Sequence, residues 1–337
     1  MRNSVLRFIS ACLYYSGLVN LIRWWMLHSG QRLIILNYHR ATGEELRRHM
    51  LYLRRHFRLL PLETALEELY TPCKEGLQWL DRRAPLVLTF DDGYYDNYTQ
   101  AFALACELQV PITIFLIPGY MDCGSCFWWL DRLILHARVD KAVLEGRIYH
   151  LDQQEECKAL AQAIDARVSR ATSLAQCEGF LASVRQVLAI PACVVLEEKP
   201  APLLTWAQAR EMEQSGWVSF GAHTLHHPVL GSLADPAEVQ REVEGCRTIL
   251  ERQLGHPVRT FAYPYGGSKD IGKHGLRAVQ QAGYDWAATT IPGFNTRRSN
   301  PYLLRRVFAD VNQHWLILAA KTSGVWGFFA CLVGKAK

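Results

Sequence analysis

Short apolar runs alternate along this chain with stretches whose apolar residues recur every three or four positions. Residues 33–36, 59–62, 85–90, 112–117, 218–222, 261–263, 286–289 and 305–308 read as strands. Between them, Leu46, Met50, Leu53 and Phe57 keep a helical spacing, and 64–69, 97–108, 206–215 and 235–254 also read as helices. Thr205 is the expected cap of 206–215, with Gly216 just past its end, and Pro236 stands at the first position of the next long helix. Strand, helix, strand at this spacing implies an α/β fold with a parallel sheet and right-handed crossovers.

Two regions depart from the alternation. Residues 119–199 carry helical stretches, such as 128–137 and 155–168, with no obvious strand, and read as a helical insertion that the prolines of 191–202 close. Residues 1–30 hold an apolar run, 8–22, bracketed by Arg7 and Arg23 and shorter than the ~20 residues a spanning helix needs. No convincing small-residue cleavage site follows it. Trp24 and Trp25 beside Arg23 have the composition of an interfacial anchor. The expectation is peripheral membrane contact through residues 1–30; the competing reading is a helix docked on the protein's own core. Residues 31–314 then form the main domain, and 315–337 an apolar tail interrupted by Lys321 and Gly324, which does not read as a span.

Composition narrows the class. Of 337 residues, 50% are hydrophobic and 20% charged, which fits a globular chain and not a disordered one. The net charge of +5 is uneven: ten arginines lie between Arg2 and Arg58, against only Glu44 and Glu45. That asymmetry points to an anionic surface. With no nucleic-acid module in the sequence, lipid is favoured over nucleic acid. The ten cysteines are scattered, and only Cys123 and Cys126 have a ligand-like spacing, so reduced structural thiols and a cytoplasmic location, on the inner face of a membrane, are expected.

Candidate chemistry sits just past three strands. Asp91-Asp92-Gly93 ends the run 85–90, and neighbouring side chains on an extended strand point to opposite sides, so the two carboxylates need not share a task. His223 and His227, with His226 between them, follow the strand 218–222. Two imidazoles at that spacing can converge on one borderline metal ion, with Asp92 the natural third ligand; two histidines and one carboxylate leave positions open for water and substrate. Pro264-Tyr265-Gly266-Gly267 forms a tight loop whose backbone N–H groups can face an oxyanion.

Taken together, Thr89-Phe90-Asp91-Asp92-Gly93, His223-Thr224-Leu225-His226-His227-Pro228 and Pro264-Tyr265-Gly266 resemble the motifs of the polysaccharide deacetylase family, the NodB-homology carbohydrate esterases. The resemblance covers roughly residues 33 to 310. It implies a distorted (β/α) barrel and a divalent metal, with zinc the expected ion, at Asp92, His223 and His227. It also implies Asp91 as general base, the Tyr265 N–H as oxyanion donor, and removal of N-acetyl groups from amino sugars of a polysaccharide or a lipid-linked glycan precursor. The alternatives are a catalytically silent carbohydrate-binding protein of the same fold, or an O-deacetylase or other amidohydrolase. Two departures stand out. Ala262 occupies the place of an arginine that often holds the base, and no histidine follows Leu303 and Leu304, where the family commonly has Leu-x-His. Arg305 or Arg306 is then the expected partner of Asp91, and His39 the candidate general acid.

Overall fold

The computed structural model describes residues 2–28, 30, 32–71, 81, 83–121, 134, 137–190 and 203–325. Strands β1 (Ile34–Tyr38), β2 (Arg58–Leu59), β3 (Pro85–Phe90) and β4 (Ile112–Leu116) come before the insertion. The insertion holds β5 (Lys141–Leu144) and β6 (Arg147–His150), and β7 (Val218–Ala222), β8 (Thr260–Ala262), β9 (Trp286–Pro292) and β10 (Leu304–Phe308) follow it. Eight strands form one sheet in the order β1-β10-β9-β8-β7-β4-β3-β2, and β1 pairs with β3 to close it. All of its pairings are parallel. Strand β2 is a short addition: Arg58 and Leu59 pair with Pro85 and Leu86, and β4 takes over from Leu88. The other seven make the closed wall, so the expected distorted (β/α) barrel is the fold.

Burial explains the strand sequences. Every residue of β1 and β4 is buried, as is β3 after Pro85, because a closed parallel sheet is covered on both faces. The helices outside it carry the expected apolar stripes and caps. Thr205 and Gln208 form a capping box at Trp206–Gln214, and Asp235 caps Pro236–Leu254, which stops at left-handed Gly255. A helix at Ser268–Gln281, not anticipated from the sequence, kinks at Gly272.

Two expectations change. The insertion is not purely helical. β5 and β6 form an antiparallel hairpin around Glu145 and Gly146, both with positive φ, and pack with helices Gln154–Val168 and Leu174–Val187 in a separate apolar core. The expected helix at 97–108 opens with a π turn, Asn97–Phe102, before Ala103–Leu108. Residues 1–30 form two helices, Arg2–Tyr15 and Leu18–His28, bent by 69°. Val19 and Ile22 are buried, and Tyr14, Tyr52 and Trp315 pack ring against ring. The beginning of the apolar tail is likewise a buried helix, Trp315–Thr322. Cys123, Cys126, most of the stretch 128–137, the proline-rich 191–202 and the end of the tail lie outside the described residues.

Candidate active site

In a parallel barrel every strand runs the same way, so one rim collects all the residues that follow strand ends. Here that rim gathers His39 after β1, Asp91 and Asp92 after β3, His223 after β7, Tyr265 after β8 and Arg306 within β10.

The two aspartates part company for a different reason than strand alternation. Strand β3 ends at Phe90, and Asp92 takes φ 73°, a left-handed conformation that turns its carboxylate away from its neighbour. Gly93 follows at φ 66°, and a side chain there would strike Leu116. Thr224, His227 and Tyr265 are also non-glycine residues in the left-handed region. Of seven such residues among those described, four belong to this rim, so conformational cost is concentrated where side chains must converge.

Asp92, His223 and His227 are buried, and one ligand atom from each lies within 4.8 Å of the others. Both imidazole Nε2 atoms stand 3.4 Å from Asp92 Oδ1. Neither Asp92 oxygen has a protein hydrogen bond of ordinary geometry, although both are buried. His223 Nδ1 donates to the Ala262 carbonyl at 2.7 Å, which turns the Nε2 lone pair inward. Burial alone would lower both imidazoles. At His223 the Asp92 and Asp91 carboxylates outweigh it and the pKa is raised, whereas at His227 burial wins and the pKa falls to about 3. A buried carboxylate facing two buried imidazoles fits a divalent cation of borderline softness.

Asp91 is held quite differently. Arg306 grips it with both arms of its guanidinium, Nη1 to Oδ1 at 2.7 Å and Nη2 to Oδ2 at 2.8 Å. The remaining Arg306 donors reach the Thr289 carbonyl and Thr89 Oγ1, and only 1% of the residue is exposed. Burial would raise the Asp91 carboxyl, but Arg306, with help from His223 and His39, holds it below the usual carboxylate range. The arginine absent at 262 is thus replaced from β10, and Arg306 rather than Arg305 does the work. Arg305 instead donates to the Pro292 carbonyl.

His39 lies on the open side, 39% of its side chain exposed, with Nε2 4.0 Å from Asp91 Oδ2. The π turn explains its placement: Asn97 donates to the His39 carbonyl, while Asp96 accepts from Arg40, Ala41 and Thr42. Tyr265 stands beside His227, ring centroids 5.4 Å apart, and its hydroxyl donates to Asp165 of the insertion. His226 turns away from the other two histidines. Glu242 accepts from its Nδ1 and its backbone N–H, which pins the histidine loop to helix Pro236–Leu254. Asp96, Asn97, Glu242 and Asp165 were missed from the sequence. A signal existed for Glu242, a carboxylate set in the apolar stripe Val239, Val243, Cys246 and Leu250.

Comparison with known proteins agrees with this geometry. The polysaccharide deacetylase family profile matches residues 81–287, well over half of the chain. The chain belongs to the polysaccharide deacetylase family. Another polysaccharide deacetylase by family, YxkH of Bacillus subtilis (strain 168), is 31% identical over 104 residues, 31% of this chain and 36% of YxkH, so the match spans about a third of that relative's length. The fold is shared with the Streptococcus pyogenes deacetylase PplD, solved with acetate, at a TM-score of 0.56 and 18% identity, over 87% of this chain and 98% of that one. IcaB from Ammonifex degensii is similar at a TM-score of 0.56 and 19% identity, over the same shares. Against this deacetylase fold, the polar rim described above occupies the strand ends.

Proposed function

We propose that this polysaccharide deacetylase family member is a metal-dependent hydrolase that removes N-acetyl groups from amino sugars of a polysaccharide or a lipid-linked glycan precursor. The observation that carries the reading is the buried Asp92–His223–His227 cluster, directly beside a second carboxylate held by arginine. Zinc suits the two imidazoles and one carboxylate; once bound, a divalent ion supplies Lewis acidity to the acetyl carbonyl and acidifies a water.

The chain's own groups carry the rest. Asp91 accepts the proton of the attacking water at a carboxylate oxygen, and Arg306 keeps that carboxylate ionised and aimed. The Tyr265 N–H donates to the developing oxyanion. His39, half-exposed on the substrate side, gives a proton to the departing sugar amine, so that acetate and a free amine result. The glycan is met at an anionic membrane face, a contact argued below.

The test is acetate release from a panel of N-acetylated oligosaccharides by protein stripped with chelator and reloaded with zinc. Turnover should follow zinc occupancy. A fully loaded protein that binds these glycans and releases no acetate would make it a binding protein instead. His39→Ala should slow turnover and change the alkaline limb of its pH profile; an unchanged profile removes His39 from proton transfer.

A further inference from the structure

Helix Arg2–Tyr15 is apolar on two sides. Leu13 and Tyr14 pack towards the barrel and the helix Trp315–Thr322, but Val5, Phe8, Ile9 and Tyr15 do not. These four are spaced three, one and six residues apart and form a single outward stripe, with exposed Cys12 between them. Phe8 is 70% exposed and Tyr15 75%. On the second helix of the pair, Leu21, Trp24 and Trp25 are each at least half exposed. So large a share of bulky apolar side chains left in water marks an interaction surface.

The charge around it selects the occupant. No acidic residue precedes Glu44, while Arg2, Arg7, Arg23, Arg32 and Arg40 do. Next to the pair, helix Leu46–His56 adds exposed Arg54 and Arg55. The field is felt by His56, whose pKa falls to about 4 through burial and then through Arg23, Arg55 and Arg83. An outward apolar and aromatic stripe in a segment whose charged residues are all arginine matches the boundary between acyl chains and anionic headgroups. Among the described residues no single helix is long and apolar enough to cross a bilayer, and the 69° bend breaks the pair into two short arms.

We infer that the outward stripe Val5, Phe8, Ile9 and Tyr15, with Leu21, Trp24 and Trp25, is a lipid-binding face that seats the protein on an anionic bilayer. This deepens the membrane contact proposed above and is independent of the deacetylation chemistry. Because the inner side of the pair is packed on the barrel, it acts as a fixed platform rather than a tether. It packs through Tyr14 on Tyr52 of helix Leu46–His56 and on Trp315 of helix Trp315–Thr322.

The experiment is co-sedimentation of full-length protein with vesicles of phosphatidylcholine alone or mixed with phosphatidylglycerol, at low and high salt. Thermal unfolding, sedimentation velocity and acetate release from a soluble substrate are followed in parallel. Wild-type protein should pellet with phosphatidylglycerol vesicles at low salt and be partly released by salt. Phe8→Ser combined with Tyr15→Ser should weaken the partition roughly tenfold or more, with melting temperature and soluble-substrate turnover unchanged. If the double variant unfolds, the two single variants and the lipid dependence of wild-type protein decide. Wild-type protein that ignores phosphatidylglycerol vesicles, or variants that pellet equally well, would overturn the inference. A wild-type dimer that these substitutions dissociate, without lipid binding, would assign the stripe to a second copy instead. Loss of acetate release alone would count against the reaction and leave the lipid face standing.

Discussion

The strand-end rim and the insertion solve opposite problems. The rim draws His39, Asp91, Asp92, His223, Tyr265 and Arg306 from five strand ends, buries four charged or metal-seeking groups among them, and tolerates four left-handed residues. The insertion is local. A hairpin and two helices, consecutive in sequence, wrap one small apolar core, and its left-handed residues Glu145 and Ala189 sit at an ordinary hairpin turn and helix end. Among the described residues, hydrogen bonds between the insertion and the barrel include Tyr265 with Asp165, Leu174 with Glu238, Ser232 with Ser169 and Ala234 with Thr172. A cleft lined by Tyr120, Val168, Cys177, His227 and Val229 runs between them. The rim rests on costly, long-range placement, while the insertion rests on local packing.

The sharpest break of this contrast is in the rim's two carboxylates. Asp91→Asn should lower turnover by about 10²–10⁴-fold while leaving metal content at one per chain, whereas His223→Ala should lose the metal and keep the fold. Metal analysis beside acetate release separates the two; metal lost from Asp91→Asn would merge roles that the geometry keeps apart.

Next comes the buried ion pair. Arg306→Met strands a buried carboxylate and should cost about 3–5 kcal/mol in urea unfolding, more than Asp91→Asn with Arg306→Met together. The acid dependence has a definite sign. The folded Asp91 carboxyl lies below its unfolded value near ~3.9, so its stabilisation is fully present above that pH and is lost as pH falls through the folded value. The gap between wild type and Asp91→Asn should therefore close in acid, below about pH 4.

The link between the regions should matter less. Asp165→Ala removes one hydrogen bond to the Tyr265 hydroxyl and should cost about 0.5–1.5 kcal/mol, with turnover down less than about tenfold and KM little changed. Tyr265→Phe should reproduce it, and combining both should add nothing. Smallest of all, Arg147→Ala at the solvent-exposed pair with Glu156 should leave stability within ~1 kcal/mol and turnover intact.

Much of the rim was legible in the sequence because its motifs are short and contiguous. Asp91-Asp92-Gly93 and His223 to His227 each announce themselves within a few residues. Alternation of apolar runs and helical spacing disclosed the barrel for a similar reason: β1, β4 and all of β3 after Pro85 are buried on both faces. Arg306 was narrowed only to a pair, since on β10 the buried and exposed sides alternate and the sequence does not say which faces inward. Asp165 and Asn97 were silent, because each works on a partner far along the chain or through a local π turn that no periodicity encodes. The hairpin of the insertion was hidden by its brevity, four residues a side around Glu145-Gly146.

The pairing of Arg306 with Asp91 spans 215 residues, and β1 cannot close the barrel until β10 exists. During synthesis at about 5–20 residues per second, Asp91 leaves the ribosome roughly 10–40 s before its counter-ion. Helix Arg2–Tyr15 waits longer still, because the helix that receives its inner side is Trp315–Thr322, later in the chain than β10. The nascent chain must therefore carry an unpaired carboxylate, and a doubly apolar helix, until those distant segments have been made. A chain stopped before β10 has neither a closed barrel nor a partner for Asp91.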